Sequence, residues 1–349
     1  MSHLSPQRPS PSPLYQGLRR RQNRRMLVLL ILMIGTLVLC ATALMLGEKR
    51  YSLEVIVRVL SGEQIQGATF AIHTLRLPRM LAGLLVGFAF GMAGSTFQTM
   101  LRNPLASPDI IGVTSGSSIA AVFCMLVLHL SGPIVSVAAI LSGLAVAALI
   151  YLLSRGGSFS GGRLVLIGIG IQSMISAMIS YLMLRANQYD VPGAMRWLSG
   201  SLNGIRLAQI PLLLIVVALG SLLLVLFARY LKILELGEAS AITLGVRTDG
   251  IRLLLVLSAV ALIAFATAVT GPVAFVSFLA GPIAARLVGH GQDALIPSGL
   301  VGALLVLLAD LLGQYAFGTR FPVGVVTGIL GAPYLLYLLI RMNRIGGAA

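Results

Sequence analysis

The chain has 349 residues, of which 57% are hydrophobic and only 10% are charged. A soluble domain of this size could not cover its surface with so few charged side chains, so the composition excludes a soluble protein. The formal net charge of +15 could indicate nucleic-acid binding. The basic residues stand at the ends of apolar segments, however, as in membrane proteins that follow the positive-inside rule. We therefore expect an integral membrane protein that binds no nucleic acid.

Residues 1–25 are first rich in proline and serine and then in arginine. This composition predicts a disordered, basic tail on the cytoplasmic side, next to the membrane lipid. A secretory signal peptide is the alternative, because a basic region precedes an apolar one. The apolar run 26–46 is too long for the core of a signal peptide, and no convincing cleavage site follows it. This run is predicted to be the first membrane span.

The stretch 75–116 is predicted to be the element around which the rest of the chain is organised. It opens with Arg76 and Arg79, continues as a glycine-rich apolar helix long enough to cross a bilayer, and breaks at 102–108. Small residues let membrane helices approach closely, and the chain contains 39 glycines. We therefore expect a tightly packed bundle around this span.

About ten segments are apolar over the roughly 20 residues that a membrane span requires. Backbone polar groups in lipid must be paired within each segment, so the fold is predicted to be an all-α, polytopic membrane helix bundle. An external segment with a short surface helix, 47–75, separates the first two spans. The predicted spans are 26–46, 78–100, 109–130, 133–154, 164–184, 208–228, 253–270, 272–289, 295–316 and 323–341.

The positions of the 25 Lys and Arg residues predict the topology. Most of them lie in segments assigned to the cytoplasm, including the loop with Arg155 and Arg163. This excess favours an even number of spans, with both termini cytoplasmic, a transmembrane domain over 26–342 and a tail over 343–349. Spans two to five then begin outside and spans seven to ten begin inside. If these quartets are related, they form an inverted pair, a common plan among transporters.

No motif in the sequence points to catalysis or to metal binding. The four histidines are dispersed, and no metal-ligand motif and no phosphate-binding loop is present. The chain is therefore expected not to be an enzyme, to have no catalytic and no metal-binding residues, to bind no cofactor, and not to hydrolyse ATP itself. Cys40 and Cys124 lie within apolar segments and are expected to be packing residues rather than a disulfide.

Asp310 is the one acidic residue that lies clearly within a span. Proton-driven carriers usually keep acidic relays inside the membrane, whereas a lone aspartate is expected to accept hydrogen bonds from neighbouring helices. The scarcity of such residues counts against a secondary carrier driven by protons or sodium, which is the first alternative class. A membrane-embedded enzyme is the second alternative, and it lacks a catalytic cluster.

The segment 229–252 is the longest polar interruption after the external loop that ends near Arg206. A helix on the membrane surface would place five residues on one side as a docking face for a soluble partner, namely Leu234, Leu236, Ala239, Ile242 and Leu244. An ordinary solvated connector explains the same spacing equally well, and both interpretations stay open at this point.

Five stretches together resemble the FecCD-type permeases, the membrane subunits of bacterial ABC importers for ferric siderophores, haem and cobalamin. The stretches are LRLPR at 75–79, the run from Gln98 through RNPLASP at 102–108, LELGEASAITLGV at 234–246, GPVAFVSFLAGPIAARLVG at 271–289 and FPVGVVTGILGAP at 321–333. The arrangement at 163–204 looks most like the branch that transports catecholate siderophores such as ferric enterobactin.

The resemblance implies the type II importer fold, with ten helices in each subunit and two subunits around a central pathway. It implies a bacterial cytoplasmic (inner) membrane location, a ferric siderophore as cargo, and cobalamin or haem as alternative cargoes. The implied partners are two copies of an ABC ATPase, which would hold the ATP and Mg²⁺, and a periplasmic or lipoprotein substrate-binding protein. A second permease subunit is also implied, with a non-identical sister favoured over a second copy of this chain.

The resemblance also implies roles for three external arginines. Arg76 and Arg79 match the arginines that receive carboxylates of the substrate-binding protein through charge-assisted pairing. A third docking arginine of some family members falls at Gln314 in this chain, and Arg320 is the candidate substitute.

Further residues match the family at the cytoplasmic side. The coupling helices, which occupy 231–250 and enter the ATPase cleft, correspond to Glu238, Ala239, Ser240, Leu244 and Gly245. The turn that follows the second span corresponds to Asn103, Pro104 and Leu105, with Gln98 before it on the predicted pathway. The family often has Pro-His in span eight, where this chain has Gly281-Pro282-Ile283.

Overall fold

The structure, a computed structural model, describes residues 13–154, 161–289 and 291–346. Within these ranges the chain forms helices and no strands. The predicted cytoplasmic loop between spans four and five lies largely outside the described residues. The helices are α1 (Pro13–Met45), α2 (Leu53–Leu60), α3 (Leu77–Met100), α4 (Val113–Leu126), α5 (Pro133–Ser154), α6 (Gly161–Arg185), α7 (Val191–Leu198), α8 (Ile210–Leu226), α9 (Ala228–Glu235), α10 (Glu238–Thr243), α11 (Thr248–Thr270), α12 (Val276–Val288), α13 (Leu295–Tyr315) and α14 (Val323–Gly346).

Each of the ten predicted spans corresponds to one apolar helix. In the described part of the chain, 7 helices are long and apolar enough to cross a membrane, namely α1, α3 with the turn before it, α5, α6, α8, α11 and α13. The other predicted spans correspond to the shorter apolar helices α4 and α12 and to the apolar part of α14, Val323–Leu338. The all-α, polytopic fold class is confirmed.

Two predicted spans, 109–130 and 272–289, are shorter in the structure than a full crossing. Helix α4 has 14 residues and α12 has 13, against the roughly 20 that a crossing requires. Gly112 ends the broken turn before α4 with φ +74°, and Gly271 ends α11 with φ +73° immediately before Pro272. Left-handed glycines and prolines stop helices, so both spans begin with irregular backbone inside the bundle.

The prediction of a disordered tail over 1–25 is wrong for residues 13–25, which are the first turns of α1. Residues 13–25 are compatible with a helix except at Gly17. Contacts with other parts of the bundle hold Arg24 and Arg25 at the end of this stretch. Arg24 donates from Nε to the Leu287 carbonyl at 2.9 Å, and Arg25 pairs with Asp293 at 3.2 Å. At the other terminus α14 continues to Gly346, through half of the predicted tail.

The external segments contain more helix than the sequence predicts. The short surface helix expected within 47–75 is α2, which Ser52 caps by accepting a hydrogen bond from the Val55 amide. A π-helical turn, Phe70–Arg76, then leads without a break into α3, so this span begins before residue 78. The predicted loop 185–206 contains α7, which was not predicted.

Helix α3 is the centre of the bundle, as predicted, and it is the most buried of the long apolar helices. Its main partner is α13, which runs antiparallel to it. Gly87 lies against Gly302, and Gly91 lies against Ser298, so closely that a Cβ on either α3 glycine would overlap the backbone of α13. Glycine is therefore required at this crossing, in agreement with small-residue packing of membrane helices.

The two predicted quartets have matching helix lengths. The helices α3 to α6 have 24, 14, 22 and 25 residues, and α11 to α14 have 23, 13, 21 and 24. The segment 201–203 contacts both Arg79 at the start of α3 and Thr270 at the end of α11, so the first members run in opposite directions. The two breaks meet inside the bundle, where the hydroxyl groups of Ser107 and Ser277 lie 3.2 Å apart. Inverted repeats produce this arrangement.

Candidate functional site

The polar residues singled out in the sequence gather at two opposite ends of the bundle. The end that carries Arg76, Arg79 and Arg320 is called the arginine end here. The other end carries α9, α10, the turn after α3 and the first residues of α1, and is called the broken-turn end. Helix α3 joins the two ends, since it begins at Leu77 and closes at Met100.

Arg79 is held by an internal carboxylate at the arginine end. Its Nε lies 2.9 Å from Asp310 Oδ2 and its Nη2 lies 2.8 Å from Asp310 Oδ1, a bidentate pair between α3 and α13. Its Nη1 donates to Asn203 Oδ1 at 2.6 Å. Gln314 donates to Asp310 at 2.8 Å. Asp310 thus accepts hydrogen bonds from a neighbouring helix, as predicted, and its side chain is only 9% exposed.

Arg76 is also engaged within the chain. Its Nη1 donates to the carbonyls of Leu44 and Met45 at 2.8 and 3.1 Å, and its Nη2 donates to the Lys49 carbonyl at 2.7 Å. These carbonyls belong to the end of α1 and the following loop, where helical partners are missing. The guanidinium also lies over the Tyr51 ring, 4.9 Å from its centre. Arg76 therefore caps α1 in addition to any contact outside the chain.

Arg320 is the most exposed of the three arginines. It pairs with Glu48 at 2.9 Å, and the two side chains are 66% and 89% exposed. The loop after α1 connects this pair to the carbonyls that Arg76 binds. A carboxylate arriving from solvent could therefore reach Arg320 without displacing a buried group, whereas at Arg79 it would compete with Asp310.

At the broken-turn end, the predicted surface helix is two short helices. Gly237, with φ +109°, separates α9 from α10, because only glycine adopts this backbone readily. Leu234 faces the bundle and is buried, so its placement on the docking side was wrong. The other four predicted residues are exposed, namely Leu236, Ala239, Ile242 and Leu244. They form an apolar surface that ends at Gly245, with φ +76°.

The α10 helix is tied to the bundle at its first residue and at its centre. Glu238 lies 3.5 Å from Arg252 of α11, whose side chain is 7% exposed. Ala241 is fully buried, while Ser240 on the adjacent position is exposed. Of the five predicted coupling residues, Glu238 is thus anchored inward and the remaining four stand at the surface.

The turn after α3 lies beside the segment that contains α9 and α10. Asn103 accepts a hydrogen bond from the Leu105 amide at 2.9 Å, which sets the turn that leads to Pro104. The Arg102 side chain, on a backbone with φ +50°, approaches Gly237 between α9 and α10. A cavity of about 530 Å³ opens at this end between α3, α9, α12 and the α12–α13 loop, and its lining includes Gln98, Asn103 and Pro104. The turn and the segment that contains α9 and α10 therefore share one surface.

Several residues of these sites were missed in the sequence. Asn203 and Tyr51 complete the arginine end, and Arg252 anchors α10. A pairing over 124 positions, such as that of Arg79 with Asn203, leaves no local pattern to find. Among the residues that the structure describes, no group of three or more His, Cys, Asp and Glu side chains could hold a metal ion.

Two quartets with discontinuous helices, assembled around a glycine-packed span, define a multi-pass membrane transport protein. Residues 32–341 match the FecCD transport family, and the chain belongs to this family. Its members are permease subunits of ABC transporters, so the class predicted from the five stretches is confirmed.

The comparisons with individual proteins agree with this family assignment. The chain is 35% identical over 324 residues to the ferric enterobactin transport system permease protein FepG of Escherichia coli, covering 92% of this chain and 98% of FepG. It is 34% identical to the Fe(3+)-citrate import system permease protein YfmE of Bacillus subtilis, covering 92% and 96%. The solved structure of a metal-chelate type ABC transporter in an inward-facing conformation matches with a TM-score of 0.80 and 27% identity, covering 90% of this chain and 99% of that chain.

Proposed function

We propose that the chain is the permease subunit of an ABC importer that carries a ferric siderophore across the bacterial cytoplasmic membrane. The observation that carries this proposal is the family match over nearly the whole bundle. Relatives named for ferric enterobactin, ferric citrate and achromobactin support an iron chelate as cargo. Cobalamin and haem are the alternative cargoes within the family.

The arginine end would receive the substrate-binding protein on the outside. Arg320 would meet a carboxylate directly, and Arg79 would do so by exchanging Asp310 for the incoming group. Arg76 would contribute positive charge while it caps α1. This arrangement suits transient docking, because the arginines keep internal partners when the binding protein leaves.

The broken-turn end would receive the ATPase on the inside. Its exposed apolar surface, Leu236 to Leu244, would enter the cleft of the ATPase, which holds the ATP and Mg²⁺. Motion of this segment would reach α3 through Arg102 and the turn 103–105. The bundle would then change between outward and inward access, an equilibrium that the two partners bias.

A second permease would complete the translocation pathway beside this chain, and a non-identical sister is favoured. Both termini would lie in the cytoplasm, because α1 begins and α14 ends at the broken-turn end. Gln98 and the turn 103–105 would border the cytoplasmic mouth of the pathway, where the cavity opens.

Uptake measurements test the proposed function. The chain, its sister permease, its ATPase and its binding protein are expressed in cells that lack their own siderophore permeases. Uptake of radioactive iron as ferric enterobactin or ferric citrate is expected, and vanadate should abolish it. Uptake that persists with vanadate and without the ATPase would instead indicate a secondary carrier. Uptake of cobalamin or haem alone would assign the alternative cargo.

Replacing Leu244 with aspartate should uncouple the ATPase while the bundle stays folded. Leu244 is 60% exposed, so the charge stays in water in the isolated subunit but would be desolvated in an apolar cleft. We expect uptake, and the ATPase activity stimulated by the loaded binding protein, to fall about tenfold or more. Leu53→Asp is the matched control, since Leu53 is 54% exposed on α2. Normal transport by Leu244→Asp would contradict the coupling role.

Replacing Arg320 with glutamate should slow association with the binding protein. Exposed interfacial charges act mainly on association rates, so we expect a decrease of about tenfold at low salt that diminishes as the salt concentration rises. Surface plasmon resonance with the permease complex in nanodiscs measures the rate. Arg185→Glu, at the exposed end of α6, is the control. An association rate that is unchanged at low salt would remove Arg320 from the docking surface.

A further inference from the structure

Helix α12 contains a proline that removes one of its backbone hydrogen bonds. Pro282 lies within Val276–Val288 and has no amide hydrogen. In a regular helix the amide of residue 282 would donate to the carbonyl of Phe278, four positions earlier. That carbonyl is therefore left without its helical donor in the interior of the bundle, where an unpaired carbonyl is costly.

The side chain of Gln98 supplies the missing donor. Its Nε2 lies 3.0 Å from the Phe278 carbonyl oxygen, and this contact is buried. Gln98 belongs to the last turns of α3 and is itself only 8% exposed. The contact joins residues 180 positions apart, so a side chain of the central helix compensates for the proline in α12.

Gly281 makes room for this contact. A Cβ at position 281 would overlap Oε1 of the Gln98 amide. One turn earlier in α3, a Cβ on Gly94 would overlap the Ser277 carbonyl, so the backbones of α3 and α12 touch near the start of α12. Gln98, Gly281 and Pro282 thus form one unit.

We propose that Gln98 is a positioning residue, which replaces the hydrogen bond that Pro282 removes and thereby sets how α12 bends against α3. The inference rests on the proposed function for its consequence in transport. Gln98, Gly281 and Pro282 line the cavity of about 530 Å³ at the broken-turn end, so the bend shapes the wall of this cavity. In this proposal Gln98 acts on transport through the position of α12.

A double-mutant cycle tests the proposal. Gln98→Leu keeps a similar side-chain volume but cannot donate, and Pro282→Ala restores the backbone amide that donates to Phe278. The permease is purified with its partner subunits, and both its apparent melting temperature and its uptake rate in cells are measured. Gln98→Leu should lower the melting temperature by about 2–4 °C and uptake by about tenfold. Adding Pro282→Ala should return both values to those of Pro282→Ala alone.

Thr96→Val is the matched control. Thr96 is buried on α3 and donates to the carbonyl of Met92 in its own helix, at 2.8 Å, so the variant loses a buried hydrogen bond of a side chain but leaves a carbonyl that keeps its helical donor. Its effect should be the same with and without Pro282→Ala. If Gln98→Leu does not accumulate in membranes, the amount of the double variant Gln98→Leu, Pro282→Ala is measured instead. The proposal is overturned if the double variant does not accumulate either.

The cycle separates this inference from the proposed function. The positioning role would be overturned if Gln98→Leu lowered the melting temperature and the uptake rate equally in the wild type and in the Pro282→Ala background. Rescue of the melting temperature supports the inference independently of any cargo. If the wild-type complex then transports no ferric siderophore, only the proposed function fails.

Discussion

Arg79→Leu should lower the stability of the bundle by about 3–5 kcal/mol, because it leaves the Asp310 carboxylate buried without a cationic partner. The Asp310 side chain is 9% exposed and that of Arg79 is 20% exposed, so solvent cannot replace the lost pair. Measurements of the purified complex should show a large decrease in its apparent melting temperature, or the folded complex should be lost from membranes. Docking of the binding protein should also weaken, but the destabilised variant alone cannot separate the two effects.

The double variant Arg79→Leu, Asp310→Leu makes this separation. Replacing both members of a buried ion pair with apolar residues is often neutral for stability, so the double variant should fold about as well as the wild type. If Arg79 also docks the binding protein, the affinity of the double variant for the binding protein should stay low although this variant is folded. If the double variant binds with wild-type affinity, Arg79 acts only within the bundle and docking depends on other residues.

Gly302→Ala should prevent the bundle from packing, although it is the smallest possible change. A Cβ at position 302 would overlap the carbonyl of Gly87, and backbone cannot move aside as a side chain can. Overpacking usually costs about 1–3 kcal/mol, and a clash between two backbones at the most buried crossing should exceed that range. Folded protein recovered from membranes, measured by size-exclusion chromatography, should fall sharply.

Gly170→Ala is the control, and it is expected to change stability in the opposite direction. Apart from the adjacent residues and backbone of its own helix α6, no heavy atom lies within 4 Å of the position that the Cβ of residue 170 would occupy. Alanine is favoured over glycine inside helices by about 1 kcal/mol, so this variant should be as stable as the wild type or more stable. Equal recovery of the two alanine variants would contradict the packing role of Gly302.

The sequence was sufficient for what depends on composition and local pattern. The positions of the apolar helices, the central position of α3 and the exposed side of α10 follow from hydropathy, from glycine content and from amphipathic spacing. Leu234 was misplaced because Gly237 breaks the expected single helix, and a spacing argument assumes an unbroken one. The shortness of α4 and α12 was missed because their apolar runs extend into irregular backbone that bundle contacts stabilise.

Contacts between distant residues were not predictable from the sequence. Arg79 and Asp310 were each singled out, but their pairing spans 231 positions. Gln98 was assigned to the pathway, since nothing near it in the chain reveals the carbonyl that Pro282 leaves unpaired. In each case the partner is set by how the helices pack, which a single sequence does not encode in any local pattern.

The pairing of α3 with α13 has a consequence for biosynthesis. The ribosome reaches Asp310 only after it has added 231 residues beyond Arg79, which at about 5–20 residues per second takes about 10–50 s. During this interval the glycine face of α3 is in the membrane without its final partner. Insertion of α13 is therefore the step that completes the core, and chains truncated before it should be degraded even though most of their spans are already in place.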